Sequence, residues 1–397
     1  MISNKVDKIL PSFTLQMTSR AAELRSQGVD VIDLGVGEPD FNTPDNIIAA
    51  AKKAMDDGFT KYTPGSGLFV LREAICEKLH RDNSLSYNPD QIIVSNGAKH
   101  SLSTCCQAIL NPGDQAIIFS PYWVSFPEFI RLADGEPVVI PTFSEKNFTP
   151  DFDQLEKQIN PRIKLMIINS PSNPTGAVWD NETIRRLLSY AAQYNWVVIS
   201  DECYEQLVYD NEFQSTETLN DAGANVITIQ SLSKTYAMTG WRIGYAAGDI
   251  TIIKAMSKIQ GQATSCANSI GQIASVEALT GDQSEVKMMK DAFLNRRNKM
   301  LNRINDIAGI SCQTPGGAFY TFPNVTHFLG MEIDGKKIDT SFDLSDYILD
   351  MAKTTTVAGA GFGCEGHIRL SYATDEKTFL EGLNRIETSL MKLKETS

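Results

Sequence analysis

The sequence predicts an α/β fold: a mostly parallel central sheet wrapped in helices, with a smaller α+β unit formed by both ends of the chain. Three observations carry this. Short β-branched and apolar runs recur between positions 90 and 250, at 92–94, 116–119, 138–140, 165–168, 197–199, 226–229 and 243–246. Several are apolar without interruption, the pattern of strands buried on both faces. Helical periodicity fills many of the gaps between them, and strand–helix alternation of this kind closes into a parallel sheet.

Taken in order, the elements agree. With 397 residues the chain has room for two or three domains, or for one large domain with an appendage. Thr43 and Pro44 read as N-cap and first-turn residues of a helix whose inner face is Ile47, Ile48, Ala51, Ala54 and Met55, with Gly58 as the stop. Residues 98–110 place Leu102, Cys105, Cys106 and Ile109 on one face, and Asn111, Pro112 and Gly113 end that helix. Another helix, around 184–192, leads into the strand at 196–200. Beyond about residue 285 the pattern changes to a long charged helix (285–307), strand-like pieces near 318–322 and 367–372, and an amphipathic helix over 375–392. The expected division is a large domain over 45–290 and a small one over 1–44 and 291–397.

Composition narrows the function classes. Lys and Arg total 36 against 48 Asp and Glu, a net charge of −12 that speaks against nucleic acid or an anionic membrane as the main partner. No apolar run approaches the roughly 20 residues of a membrane helix. The opening MISNKVDKIL lacks the apolar core of a signal peptide, so a cytoplasmic protein is expected. Seven scattered cysteines read as reduced thiols. Four histidines without HExxH spacing, and no CxxC pair, leave no expected metal site. The stretch from Gly330 to Lys336 resembles the start of a P-loop, but Lys337 stands where Ser or Thr would hold magnesium, so a surface turn is expected. No GxGxxG follows the first strand, so the nicotinamide-binding fingerprint is missing. The adjacent Cys105 and Cys106 are explained by packing.

The chemistry-bearing residues gather just past the ends of consecutive expected strands, where open α/β sheets bind ligands. After 165–168 comes NSPSNPTG with Asn173; after 197–199 comes SDECY with Asp201 and Tyr204; after 226–229 comes QSLSK with Ser231, Ser233 and Lys234, followed by TYAMTGWRIG with Arg242. Each alone has a bland reading as a turn, a helix cap or a solvated lysine. Their shared order and position do not.

These motifs, together with GVGEPDF, TKYTPGSG, SNGAKHSL, SPYWVSFPE, GGAFY and HIRLSYA, strongly resemble the class I aminotransferases, which bind pyridoxal phosphate on the fold type I scaffold. The likeness covers nearly the whole chain and is greatest to the bacterial aspartate aminotransferase subgroup. It implies pyridoxal phosphate as cofactor, amino acids and 2-oxo acids as substrates, and a homodimer with shared sites. Lys234 matches the Schiff-base lysine, whose amine holds the cofactor and then shuttles a proton. Asp201 matches the carboxylate that keeps the pyridine nitrogen protonated. Asn173 and Tyr204 match the pair that hydrogen-bonds the phenolic oxygen, and Trp123 matches the aromatic stacked on the ring. Gly97, Ala98 and Lys99 open the 98–110 helix, whose N-terminus suits the phosphate, with Ser231, Ser233 and Arg242 as further contacts. Tyr62 matches the tyrosine that reaches the neighbouring subunit's phosphate.

For the substrate, the resemblance implies that Arg369 grips the α-carboxylate, since a guanidinium fork binds it bidentately and stays charged. Gly37, Asn173 and Trp123 are expected beside it. Lys99 matches the lysine that recognises a side-chain carboxylate. Two segments depart from the family pattern: Ser19-Arg20-Ala21, where relatives carry Ala-Lys-Ala, and the stretch at 356–363 (TVAGAGFG). The expected reaction is transamination from aspartate to 2-oxoglutarate. The alternatives are prephenate, aromatic or diaminopimelate transamination, and a C–S lyase on the same fold. A cofactor-binding transcription regulator is disfavoured by the early position of GVGEP and the charge of −12.

Overall fold

The computed structural model describes residues 2–10 and 13–394. Residues 1, 11, 12 and 395–397, parts of the expected small domain, lie outside them. All seven expected strands form one sheet: β1 (Ile92–Ser95), β2 (Gln115–Ser120), β3 (Glu136–Pro141), β4 (Ile163–Asn169), β5 (Val197–Asp201), β6 (Asn225–Ser231) and β7 (Gly244–Ala247). The spatial order is β1-β7-β6-β5-β4-β2-β3. β7 runs antiparallel to both neighbours, and the other pairings are parallel. The unbroken apolar runs fill two layers. Ile118, Ile167, Ile199, Ile227 and Ile229 pack against Leu102, Cys105 and Cys106 of the helix Ala98–Ile109. Ile117, Ile168, Val198 and Val226 pack on Leu187 and Leu188 of the helix Asn181–Tyr194. Each such side chain, fully buried, contributes about 1.5–3 kcal/mol.

A second core is built from the C-terminal third and one N-terminal stretch. Val357–Ala358, Ile368–Ser371 and Tyr320–Thr321 form a three-stranded antiparallel sheet, and Ile32–Asp33 pairs in parallel with Thr354–Thr355. Leu34, Phe319, Ile348 and Phe379 pack there with helices Ser341–Ala352 and Glu376–Leu390. The expected division at 290/291 falls inside the helix Ser284–Asn305, whose Met289, Phe293, Met300 and Ile304 all belong to this second core. The stretch beginning at Gly330 contains a hairpin, Glu332–Ile333 with Lys336–Lys337, turning through Asp334 and Gly335 at φ +49° and +75°. Among the described residues, no helix is long and apolar enough to cross a membrane.

Two local expectations need correction. Thr43 does not cap the first of these helices, Asp45–Asp56, because Pro44 occupies the cap position. The Thr43 hydroxyl donates to the Ala237 carbonyl at 2.7 Å and accepts from Trp241 Nε1 at 2.9 Å, so tertiary contacts have claimed it. The buried face is Ile47, Ala51 and Ala54. Met55 is half exposed, since eight residues after Ile47 a 3.6-residue period has drifted off the stripe.

Candidate active site

The parallel strands β4, β5 and β6 end together, and a cavity of about 290 Å³ opens there. Strand alternation aims Asp201 into it from the end of β5 and Ser231 from the end of β6. The one-turn helix Leu232–Thr235 that follows presents Ser233 and Lys234. Ala98, Lys99, Trp123, Asn173, Tyr204 and Arg242 complete the expected residues on its wall. Four others were not anticipated: Leu102, Asn169, Cys203 and Thr239. Asn169 is informative, because its Nδ2 donates to the Asp201 carbonyl at 3.1 Å and its Oδ1 accepts from Asn173 N at 2.9 Å. It thereby ties two site residues together, and its place as the last residue of a strand was the available signal.

One end of the cavity is an anion cradle. Gly97 precedes the helix Ala98–Ile109 at φ +80°, and a Cβ there would lie 2.4 Å from Arg242 Nη2, so glycine lets the guanidinium close over the helix start. A Cβ on Gly244 would likewise lie 2.3 Å from Ala98 N. Arg242 itself sits in the left-handed region at φ +59° and donates from Nη1 to the Thr239 carbonyl at 2.9 Å. Such a backbone costs about 1–3 kcal/mol and persists where the surroundings over-determine it. Ser231 Oγ donates to Ser233 Oγ at 2.8 Å and accepts from Ser233 N at 3.1 Å. Helix-end N–H groups, two hydroxyls and two cations suit a phosphate.

The middle holds Lys234 and Asp201. Lys234 Nζ donates to the Gly37 carbonyl at 2.5 Å. Burial pulls this lysine down to about 8, with the charges of Arg369 and Arg242 adding to the effect against Cys203 and Glu38. Asp201 is buried and accepts from Cys203 N at 3.2 Å. Burial pushes its carboxyl up to about 6, against hydrogen bonds from Cys203 and the charge on Lys234. The Tyr204 and Tyr320 hydroxyls meet at 2.9 Å. Trp123 is wedged edge-on between Phe126 and Phe129, with ring centroids at 5.5 and 5.8 Å.

Past Asn173 and off the cavity wall, Arg369 is 2% exposed. It donates from Nη1 to Asn173 Oδ1 at 2.8 Å and from Nη2 to the Gly35 carbonyl at 2.7 Å. Its guanidinium lies 4.4 Å from the Tyr320 ring centroid. Its Nε is buried without a hydrogen-bond partner among the described residues. Lys99 Nζ rests 4.9 Å from the Trp123 ring centroid, and burial, then Arg242, lowers its pKa. Of the expected residues, Gly37, Gly97 and Arg369 are not on the cavity wall but contact residues that are, while Tyr62, at 89% exposure, stands apart from it.

A buried lysine that can release its proton, a buried carboxylate and an anion cradle in one cavity fit pyridoxal phosphate by their donor chemistry. This is the site of a pyridoxal-phosphate enzyme. The family model for aminotransferase class I and II matches residues 29–386, and the chain belongs to that family. It is 42% identical over 389 residues to an aspartate aminotransferase of Bacillus sp. (strain YM-2), covering 98% of each chain. It is 42% identical over 394 residues to an aspartate/prephenate aminotransferase of Nitrosomonas europaea, covering 98% of this chain and 99% of that one. Among solved structures, the aspartate aminotransferase of Rhizobium meliloti has a TM-score of 0.95 at 40% identity, covering 99% and 100% of the two chains. That of Thermus thermophilus with maleate has a TM-score of 0.92 at 38% identity, covering 98% and 99%. The protein is an aminotransferase that works with pyridoxal phosphate on amino acids and 2-oxo acids.

Proposed function

We propose that this enzyme moves the amino group of aspartate to 2-oxoglutarate, releasing oxaloacetate and glutamate in two alternating half-reactions. One observation carries the substrate class: Lys99 lines the cavity on the Trp123 face and Arg369 bonds Asn173 of its wall, two cations around the lysine that suit the two carboxylates of one small substrate. When bound, pyridoxal phosphate supplies an aldehyde that links to amines and a ring that accepts the electrons released at the substrate Cα. Gly97, Ala98, Lys99, Ser231, Ser233 and Arg242 hold the phosphate at the helix start. Asp201 keeps a proton on the ring nitrogen, Tyr204 and Asn173 hydrogen-bond the phenolic oxygen, and Trp123 covers the ring. Lys234, held beside Gly37, anchors the cofactor and then moves the proton at Cα, a task suited to an amine drawn down to about 8. Arg369 and Asn173 orient the α-carboxylate beside Gly37. The maleate on the Thermus thermophilus neighbour, a dicarboxylate, supports the same class. Prephenate also carries two carboxylates, and the Nitrosomonas europaea relative's name favours it as a second substrate.

Desolvating a distal carboxylate is costly unless a cation meets it. Lys99→Ala is therefore expected to lower kcat/KM for aspartate by at least about tenfold, or about 1.4 kcal/mol of transition-state binding. Activity on a neutral or aromatic donor should change far less. Equal losses on both would move Lys99 to the cofactor or the scaffold and remove the dicarboxylate reading.

The exposed Tyr62, with Phe59 and Phe69 also exposed nearby in the chain, supports a homodimer in which Tyr62 reaches the partner's phosphate. Mixing Lys234→Ala with Tyr62→Phe chains should form hybrids in which one site carries both defects and the other neither, lifting activity above the Tyr62→Phe homodimer. No gain despite demonstrated subunit exchange would exclude the shared site. We place the cofactor on the large domain and Gly35, Gly37 and Arg369 on the small one, so the cavity lies at their junction, and the free cysteines accord with a cytoplasmic enzyme.

A further inference from the structure

Behind the strand ends, on the side away from the cavity, the chain buries a lysine and two carboxylates. Lys78 is 3% exposed, Glu202 0% and Glu205 7%. Lys78 pairs with Glu205 and donates to Gln230 Oε1 at 2.7 Å. Gln230 Nε2 donates to Glu202 Oε2 at 3.1 Å, so the chain Glu205–Lys78–Gln230–Glu202 is continuous. The Tyr245 hydroxyl donates to Gln230 Oε1 at 2.6 Å. Glu202 is closed off by the Ser215 hydroxyl and the Thr216 N–H, at 2.8 and 2.9 Å.

The placement follows from strand alternation. Asp201 and Cys203 face the cavity, and Glu202 between them faces the network; Ser231 faces the cavity, and Gln230 before it faces the network. Glu205 in turn follows Tyr204, which lines the cavity. Each cavity residue of the ring and phosphate contacts on β5, β6 and the turn after β5 thus has a network member as its chain neighbour. Burying two carboxylates and an ammonium gains little stability over an apolar packing of the same volume. What such a network adds is fixed geometry, provided its members are satisfied.

We propose that the Lys78–Glu205–Gln230–Glu202 network is a positioning device that fixes Asp201, Tyr204 and Ser231 against the cofactor from behind. This rests on the reading of those three residues given above. The network residues touch no substrate and act through the backbone they anchor.

Glu202→Gln keeps the shape but replaces an acceptor with a second amide facing the Gln230 amide and the Thr216 N–H. It is expected to weaken pyridoxal phosphate binding to the apoprotein about tenfold. It should lower kcat by a similar factor while leaving KM for the amino donor nearly unchanged, and move the pH at which the bound cofactor's absorption band changes. Tyr245→Phe removes one bond and no charge, and should shift the same readouts in the same direction by about threefold. Should Glu202→Gln fail to fold, Tyr245→Phe alone decides. A lower melting temperature of the apoprotein, with cofactor affinity and the pH of the spectral change untouched in the folded variants, would overturn the proposal. Asp201→Ala run in parallel separates the two readings. If it too leaves affinity and spectrum unchanged, the site assignment fails; if it alters them while the network variants do not, the network alone loses its role.

Discussion

Lys234→Ala is expected to lose turnover by at least about 10⁴-fold, together with the absorption band of the lysine-linked cofactor. The effect is large because one side chain has two tasks. On the proposed assignment, its amine is the attachment point and also carries a proton at the substrate Cα. Burial pulls that amine down to about 8, so above this pH its neutral, reactive form dominates, whereas an exposed lysine would stay protonated to about 10. The side chain donates its hydrogen bond to the Gly37 carbonyl, a contact whose loss leaves both cores intact. The melting temperature of the apoprotein should therefore stay close to that of the parent. Near-normal turnover in this variant would remove the lysine-centred mechanism altogether.

Asp201→Ala should cost about 10²–10³-fold in kcat, since the ring accepts electrons well only while its nitrogen keeps a proton. The sign of the pH effect follows from the chain's own electrostatics. Burial raises this carboxyl to about 6, so below that pH it is neutral and holds a cation poorly, while above it the carboxylate is available. Cofactor affinity should consequently fall as the pH drops through about 6, and Asp201→Ala should flatten that dependence. A loss of only a few fold, with the pH dependence intact, would reduce Asp201 to a hydrogen-bond partner of Cys203.

What could be read from the sequence had a local signature. The seven strands of the sheet were legible because runs such as 116–119 and 165–168 are apolar on both faces. Lys234, Asp201 and Asn173 were legible as candidates because each follows one of those runs closely. Contacts between distant positions left no such trace. The Arg369 bond to the Gly35 carbonyl spans 334 residues, and the Tyr204–Tyr320 hydroxyl pair spans 116, so neither partner could be inferred from its neighbours. The Lys78–Glu205 pair was hidden for the same reason, since Lys78 reads as an ordinary charged position of the helix Phe69–Asn83. Two-residue strands such as Ile32–Asp33 and Thr354–Thr355 are too short for any period to show. Thr43 shows the opposite failure, a sound local capping signal overridden by Ala237 and Trp241.

On the proposed function, the amino group moves in two separable halves through Lys234, and a half-reaction measures this. Holoenzyme mixed with excess aspartate, with no 2-oxo acid present, should release one equivalent of oxaloacetate per active site and then stop, with the lysine-linked absorption band lost in step. Once the remaining aspartate and the oxaloacetate are removed, adding 2-oxoglutarate should restore the band and yield one equivalent of glutamate. Turnover of a β-thio-substituted amino acid to keto acid, thiol and ammonia with no acceptor present, while aspartate gives no oxaloacetate, would instead show an eliminating enzyme, and no product from aspartate before the acceptor is added would show that the two halves are not separable.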